Sequence, residues 1–270
     1  MTDLRDARSA TEGAEPALRE HQPAASVVSA LLAAQARTPR RSRVSRLFGA
    51  SPLNGESRKW YAGAVTELRI ADELAKLGPE WVVLHGVPVG ERGQTIEHLL
   101  IGPAGVFTVG LLRSHDGEIE VRGEQLCVNG SPRTNIWTSR DRATDASVRL
   151  TRAAGRNVPV RGLLVVIGAR SLSVHHEPDD VAVSGVRTLH RRLAGMPGRL
   201  DRAQISAIAD AAAAGSTWAC DVVRHRVPTF DSAALEGLRI DVQRAWAARG
   251  FWGAAVVAAA TVAALQLLAA

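Results

Sequence analysis

Apolar and polar positions change their spacing several times along the chain, and each change predicts a different element. Between Trp60 and Leu77 the apolar residues recur at helical spacing, which predicts an amphipathic helix. Apolar runs at residues 95–101 and 106–112, joined by Gly-Pro-Ala-Gly, predict two strands and a turn. Further along, the pattern predicts a helix, a continuous buried strand and another amphipathic helix, over Arg140–Ala154, Leu163–Ile167 and Ile205–Ala214. The middle of the chain is therefore predicted to place strands between helices.

An uncharged apolar segment occupies residues 250–270, with Thr261 and Gln266 as its only clearly polar side chains. About 20 helical residues rise about 30 Å, the thickness of a bilayer's hydrocarbon core. A core helix of a soluble domain normally keeps a polar face, and this segment has none. Arg244 and Arg249 flank only its N-terminal side. The sequence thus predicts a single-pass transmembrane anchor in the cytoplasmic membrane, with the folded domain facing the cytoplasm. The alternative is a buried core helix.

The first 50 residues lack sustained periodicity and carry Pro, Ser and Glu, which predicts a disordered tail. The tail is rich in arginine, with a run at Arg37, Arg40, Arg41, Arg43 and Arg46. Such a run can bind anionic lipid or nucleic acid, or it can remain solvated. With 270 residues, 46% of them hydrophobic, one folded domain with appendages is the simplest organisation.

The charge of the chain is almost entirely arginine on the positive side. The net charge is +6, and Lys59 and Lys76 are the two lysines. Arginine favours bidentate contacts with phosphate or carboxylate, although a compositional bias toward arginine would give the same count. Cys127 and Cys220 are too few and too far apart for a disulfide framework, which fits a reducing compartment. Residues 1–30 contain no secretory signal pattern.

Two carboxylates stand at positions where chemistry is possible. Glu67 falls within the apolar sector of the first predicted helix, where a charge is costly unless it is paired or holds a metal. The alternative is a boundary glutamate that meets an arginine. Along the two predicted strands, side chains alternate, so Glu97 shares a face with Leu99 and Gly110 shares a face with Leu112. Hydrolysis of a phosphodiester by magnesium needs carboxylate ligands and a cation. Glu97 is a possible ligand, whereas Gly110 is not.

An ordered set of motifs resembles the NERD (nuclease-related) domain family. The motifs are Ala62–Glu67, Val83–Val87, Ile96–Phe107, Gly117–Ile119 and Leu126–Gly130, and the later strands at 158–166 and 180–183 extend the resemblance over about residues 58–190. The resemblance implies an α/β fold with a restriction-endonuclease-like mixed sheet flanked by helices. It also implies a magnesium nuclease site built from a helix glutamate, a strand aspartate and a Glu-x-Lys pair.

Carried over to this sequence, the family's site is incomplete. Glu67 is the helix glutamate, and Glu97 replaces the aspartate beside a retained His98. The Glu-x-Lys positions fall on Gly110 and Leu112, so a carboxylate and the catalytic cation are missing. The resemblance therefore implies a remnant catalytic site at Glu67, Glu97 and His98, with Glu67 and Glu97 as the metal ligands if any metal binds. No cofactor is expected for such a site, and magnesium is expected if it is active.

Other polar residues could compensate for the missing groups. Arg113 follows the second strand but points to the face opposite Gly110. Glu118 and Glu120 share one face of the next strand and could hold a displaced metal, or could be the wet face of a hairpin. The His-His-Glu-Pro-Asp-Asp stretch at 175–180 has the composition of a metal site, although adjacent residues diverge and the proline favours a solvated loop.

Two functions follow for a chain divided into a tail (1–50), a NERD-like domain (58–190), a helical extension (191–249) and an anchor (250–270). The first is a membrane-anchored, catalytically degenerate domain that acts as a binding or scaffold module, with nucleic acid as a possible partner. The second is a magnesium-dependent nuclease with a rearranged site. The missing Glu-x-Lys pair favours the first.

Overall fold

The computed structural model describes residues 18–89, 94–218 and 229–269. The chain forms two compact units, a larger one of residues 1–25 with 66–227 and a smaller one of residues 26–65 with 228–270. The α-helices of the described residues are Ala25–Ala36 (α1), Arg43–Leu47 (α2), Gly55–Leu74 (α3), Asn135–Ala154 (α4), Leu189–Ala194 (α5), Arg202–Ala213 (α6), Gly215–Trp218 (α7) and Ser232–Ala269 (α8). The strands are Val82–Val89 (β1), Gln94–Gly102 (β2), Gly105–Arg113 (β3), Glu118–Arg122 (β4), Gln125–Val128 (β5), Ser131–Arg133 (β6), Val160–Ile167 (β7), Ser171–His176 (β8) and Val181–Gly185 (β9).

A five-stranded mixed sheet in the order β1-β2-β3-β7-β9 forms the centre of the larger unit. Strands β1, β2 and β3 pair antiparallel, and β3, β7 and β9 pair parallel. The predicted turn between β2 and β3 closes on the pair Gly102 and Gly105, and Gly105 has a φ of 124° that favours glycine. The mixed α/β architecture expected from the sequence is confirmed.

Helices cover both faces of this sheet. Ile70 and Leu74 of α3 pack with Leu100, Phe107 and other buried residues on one face. On the opposite face, a second cluster joins Leu99, Ile101 and Val106 to α4 and α6 through residues that include Ala146, Leu150, Ile205 and Ile208. The alternation of side chains along β2 and β3 thus assigns even-numbered β2 residues and odd-numbered β3 residues to the α3 face.

A second, four-stranded sheet in the order β6-β5-β4-β8 was not anticipated. Strand β8 pairs parallel with β4, although about 50 residues separate them in the chain. Ile119 and Val121 of β4 are fully buried, whereas Glu118 and Glu120 are exposed. The two glutamates therefore lie on the wet face of this strand.

The described part of the predicted tail is helical, which corrects the expectation of disorder over residues 1–50. Val28, Leu31 and Ala34 of α1 are buried and follow one another at intervals of three residues. This stripe spans only the 12 residues of α1, so it has little effect on the average composition of the first 50 residues, from which disorder was predicted. Residues 1–17 lie outside the described part of the chain.

The predicted helical extension (191–249) contains α6, α7 and the first half of α8, while residues 219–228 lie outside the described part. Asp201 and Gln204 form a capping box at the start of α6. Helix α8 has 38 residues and continues from this extension into the apolar segment. Its stretch Ser232–Leu268 has a window of mean hydropathy 1.9, of which none is buried. By length and composition, this helix is able to cross a membrane.

Candidate functional site

Glu67 lies on the sheet-facing side of α3, one turn before Ile70. It is partly buried, and its pKa is raised from 4.5 to about 7. Burial is the largest cause, the negative charge of Glu97 adds to it, and the positive charge of Arg113 opposes it. Glu67 is therefore substantially protonated at neutral pH, unlike an ordinary surface glutamate.

Glu97 stands on β2 and pairs with Arg142 of α4, with 3.1 Å between Nη1 and Oε2. The side chains of Glu97 and Arg142 are 33% and 38% exposed, so the pair lies at the edge of the covered face. Sequence reasoning missed Arg142. The only sequence feature that pointed to Arg142 was its position next to Ala143, which lies on the buried face of a predicted helix. That position did not indicate which strand the helix would cover.

Glu67 and Glu97 interact electrostatically, but they belong to different faces of the sheet. Glu97 points toward α4, as does Leu99 two residues later. Glu67 continues the stripe of Ile70 and Leu74, which packs against the other face. The two carboxylates therefore do not project together from one face.

The positions expected to carry Glu-x-Lys lie on the α4 face of β3 and are packed with apolar groups. A Cβ at Gly110 would lie 3.5 Å from Ser139 Oγ and 3.7 Å from Leu164 Cδ1, which is ordinary contact. Leu112 is 7% exposed and belongs to a cluster with Ile136 and Leu164. The space beside Glu97 on this face is thus filled by α4 and β7 side chains.

Arg113 lies on the face opposite Gly110, as alternation predicts, and this is the face that α3 covers. Its charge lowers the pKa of Glu67, so it is within electrostatic reach of that carboxylate. From the sequence, Arg113 was considered only as a substitute for the groups missing at Gly110 and Leu112. The structure instead associates it with Glu67.

His98 is buried, 1% exposed, on the face of β2 opposite Glu97. Its Nδ1 lies 2.8 Å from Nδ1 of His85 on β1, and the two rings meet edge to face. Burial lowers the pKa of His98 to about 3 and that of His85 to about 4. Within the described residues, His98 Nε2 has no hydrogen-bond partner. Both rings are neutral at physiological pH, and His98 does not converge with Glu97.

Glu177 and Asp180, two of the three acidic residues at 175–180, are engaged in structural contacts. Glu177 pairs with Arg192 and accepts a hydrogen bond from the backbone N–H of Val183. Asp180 accepts hydrogen bonds from Arg140, and this pairing lowers the pKa of Asp180. Among the residues that the structure describes, no group of three or more His, Cys, Asp or Glu side chains has the arrangement of a metal site.

Arg192 and Arg199 both lie close enough to Arg161 to influence it electrostatically, and these three arginines are called the β7 arginine group below. Arg161 is half-buried on β7, with its guanidinium carbon 6.0 Å from the centre of the Phe107 ring. Burial and the charges of Arg199 and Arg192 lower its pKa, while Glu177 acts in the opposite sense. The Nε of Arg161 and the Nε of Arg192 are buried without a hydrogen-bond partner in the described part of the chain.

One family model, that of the nuclease-related domain (NERD), matches residues 62–167. The match begins in α3 and ends at the last residue of β7, and it includes Glu67, Glu97, His98 and the whole of β3. No curated protein and no solved structure matches the chain. The protein therefore carries a nuclease-related domain over residues 62–167.

Proposed function

We propose that this protein is a membrane-anchored nuclease-related domain that has lost catalysis and acts as a binding module for nucleic acid. The observation that carries the proposal is that Gly110 and Leu112 occupy the positions of the family's Glu-x-Lys pair. These positions lack the carboxylate and the cation of the family's site, and the volume beside them is packed by α4. Under this proposal the core is the restriction-endonuclease-like fold that the family implies.

The chemistry of phosphodiester cleavage supports the loss of activity. A magnesium ion takes about six oxygen ligands, and the transition state also needs a nearby cation. Glu97 is already neutralised by Arg142, and Glu67 belongs to the other face with a pKa of about 7. These residues offer a poor ligand set for magnesium.

The β7 arginine group supports binding of nucleic acid. Guanidinium groups bind phosphate through paired hydrogen bonds, and a half-buried guanidinium beside other positive charges gains by meeting an anion. Arg199 and Arg161 repel each other in the absence of such an anion. Because phosphate contacts do not read bases, we expect binding with little sequence preference that weakens as salt rises.

Helix α8 supports the membrane anchor. Its apolar side chains are exposed along the apolar stretch, including Val256, Val257 and Leu265 at 67%, 67% and 62%. A core helix would bury them. Arg244 and Arg249 precede the stretch, so the positive-inside rule favours a cytoplasmic location for the domain. Among the described residues α8 is the one helix long and apolar enough to cross a membrane, so the proposal is a single pass.

A plasmid-cleavage assay tests the loss of catalysis. Full-length protein in detergent, with magnesium or manganese, is expected to leave supercoiled DNA intact because β3 supplies neither carboxylate nor lysine. The Glu97→Ala and Glu67→Ala variants serve as controls for contaminating nuclease. Metal-dependent cleavage that disappears in the Glu97→Ala protein would overturn the proposal.

The alternative is a magnesium-dependent nuclease with a rearranged site. It is favoured by one observation, the electrostatic influence of both Glu97 and Arg113 on Glu67, which brings two carboxylates and a cation within interaction range although the carboxylates lie on different faces of the sheet. In this reading Arg113 supplies the positive charge that the missing lysine would give. Cleavage lost in Arg113→Gln as well as Glu67→Ala would support the alternative.

A further inference from the structure

Within the smaller unit, α2 and the turn after it are fixed to α8 by specific contacts. The indole Nε1 of Trp252 donates to the backbone oxygen of Leu47 at 2.8 Å, and the rings of Trp252 and Phe48 lie 5.1 Å apart. Arg249 donates to the backbone oxygen of Gly49 at 2.9 Å. These contacts hold α2 beside the part of α8 that contains Arg249 and Trp252.

Gly49 permits this close approach. Its φ is 72°, and a Cβ there would lie 2.6 Å from the backbone oxygen of Ala245 and 2.6 Å from the backbone nitrogen of Arg249. A side chain at this position would push the turn away from α8 and would also strain its backbone. The level of α2 is therefore set by backbone packing as well as by hydrogen bonds.

The fixed level coincides with the start of the uncharged segment of α8. Arg249 is the last charged residue, and Trp252 follows three residues later. From Trp252 to Ala269 the helix rises about 27 Å, close to the thickness of the hydrocarbon core. If α8 spans the membrane, Trp252 lies at its cytoplasmic boundary, and α2 lies at the same depth.

The side chains of α2 suit that depth. Val44, Leu47 and Phe48 are 64%, 60% and 56% exposed, an unusual cluster for a helix of five residues and its first following residue. On α8, Phe251 is 67% exposed at the same level. These apolar groups keep more than half of their surface exposed, and they continue the exposed apolar surface of α8.

Arginines accompany these apolar side chains. Arg41 is engaged by Asp241, whereas Arg40, Arg43 and Arg46 have no acidic partner within the described residues. Arg46 donates only to the backbone oxygen of Arg41, at 3.4 Å. Three cationic side chains are therefore available at the depth where lipid phosphates lie.

We propose that α2 with residues 40–48 is an interfacial foot that binds anionic phospholipids in the cytoplasmic leaflet. Val44, Leu47 and Phe48 enter the boundary of the acyl chains, while the arginines 40, 43 and 46 pair with phosphates. The proposal rests on the membrane anchor proposed above, which fixes the depth of the foot. An anionic bilayer is the favoured occupant because cationic and apolar side chains are interleaved on a surface continuous with α8.

Lipid selectivity at the foot provides the test. Full-length protein is reconstituted into vesicles of phosphatidylcholine that contain brominated phosphatidylglycerol or brominated phosphatidylcholine, and quenching of tryptophan fluorescence is compared. Of the six tryptophans that contribute to this fluorescence, Trp252 is the one that contacts α2 in the contacts described above. We expect brominated phosphatidylglycerol to quench at lower mole fraction, and we expect the preference to fall by about fivefold for each arginine removed in the series R40Q, R43Q and R46Q.

A matched triple variant controls for net charge. Arg133, Arg152 and Arg202 are exposed arginines of the larger unit, and their replacement by glutamine is expected to leave the lipid preference unchanged. The wild-type protein also reports on the anchor separately from the foot. Loss of protein from washed vesicles, with no quenching by either lipid, would mean that the anchor fails.

Two outcomes would overturn the foot while leaving the anchor intact. One is equal quenching by the two lipids in wild-type protein that stays in the vesicles. The other is a preference for phosphatidylglycerol that survives in the triple variant of Arg40, Arg43 and Arg46. Either result would mean that α2 does not contact lipid phosphates and that its exposed side chains await a protein partner.

Discussion

Burial acts on individual charges in this domain in two opposite ways. It raises the pKa of Glu67 to about 7, so the folded protein holds this proton more tightly than the unfolded chain does. It lowers the pKa of His98 to about 3, so the folded protein resists protonation there. Between pH 4.5 and 6.5, Glu67 makes folding less favourable as pH rises, whereas His85 and His98 make it less favourable as pH falls. The two effects partly cancel in the wild-type protein.

One substitution, Glu67→Gln, separates the effect of the glutamate from that of the two histidines. Glu67→Gln removes the ionisable group but keeps its size, so the cost of ionising a buried carboxylate disappears. Because the folded pKa is the higher one, that cost is absent below pH 4.5 and complete above about pH 7. We expect the variant to be more stable at pH 8 by on the order of 3 kcal/mol and unchanged near pH 4, as measured by urea unfolding. A stability gain that is equal at both pH values would contradict the assigned pKa.

The comparison at Glu97 is informative because its environment differs. Glu97→Gln is expected to destabilise the protein at pH 8, since it leaves Arg142 without its anionic partner. Because both side chains are about one third exposed, the loss should be about 1 kcal/mol or less. Opposite signs for the two substitutions at pH 8 would distinguish a carboxylate that is costly to ionise because it is buried from a carboxylate that is paired with arginine.

At the scale of elements, local sequence patterns were sufficient to predict the helices and hairpins whose signals lie within one continuous segment. The spacing of apolar residues predicted most of α3, and the Gly-Pro-Ala-Gly turn predicted the β2–β3 hairpin. Alternation predicted that Glu97 shares a face with Leu99, and both side chains lie on the α4 face in the structure. The parallel pairing of β8 with β4 and the covering of Glu97 by α4 depend on residues far apart in the chain, and periodicity carries no information about them.

The same limitation explains what was missed at the candidate site. Glu67 and Glu97 could be named from the sequence, but the helix that covers each face could not. As a result, neither Arg142 beside Glu97 nor His85 beside His98 was anticipated. Arg113 was dismissed because it points away from Gly110, although that direction brings it toward Glu67. The face on which a strand residue lies follows from whether its number is odd or even, whereas the helix that covers that face is decided by tertiary packing.

Restoring the missing groups on β3 tests the register of the central hairpin. Leu99 pairs with Thr108, and the same register carried two residues further places Gly110 opposite Glu97. We expect Gly110→Glu with Leu112→Lys to create at least weak magnesium binding, measured by calorimetry. Arg142 competes for Glu97, so addition of Arg142→Ala should strengthen that binding.

Two controls make the result interpretable. Gly110→Gln with Leu112→Lys and Arg142→Ala keeps the shape of the site but lacks the second carboxylate, and it should bind magnesium no better than wild type. Leu112 is buried, so each variant must first be shown to fold by circular dichroism. A folded triple variant with unchanged magnesium affinity would show that Gly110 and Glu97 do not share a face.

At the scale of the whole molecule, the proposed binding of nucleic acid and the proposed membrane anchor depend on different units. The β7 arginine group belongs to the larger unit, and the interfacial foot belongs to the smaller one with α8. A membrane-held domain meets nucleic acid only near the bilayer surface. The proposed function therefore requires α8 to act as an anchor, and this requirement can be tested independently of any ligand.

Truncation before Phe251 is the decisive change for the anchor. It removes the uncharged segment but leaves Arg249 and Ala245, which contact the turn at Gly49. We expect the full-length protein to remain in the membrane fraction in 1 M salt, because a hydrophobic span is insensitive to screening. The truncated protein should move to the soluble fraction at that salt concentration, where arginines alone cannot hold it.

A full-length variant with Val257→Arg and Val262→Arg places two charges in the middle of the segment, and it should lose stable insertion without shortening the chain. Full-length protein that is soluble and monomeric without detergent would instead mean that α8 is covered by protein, and both the anchor and the foot would then have to be abandoned.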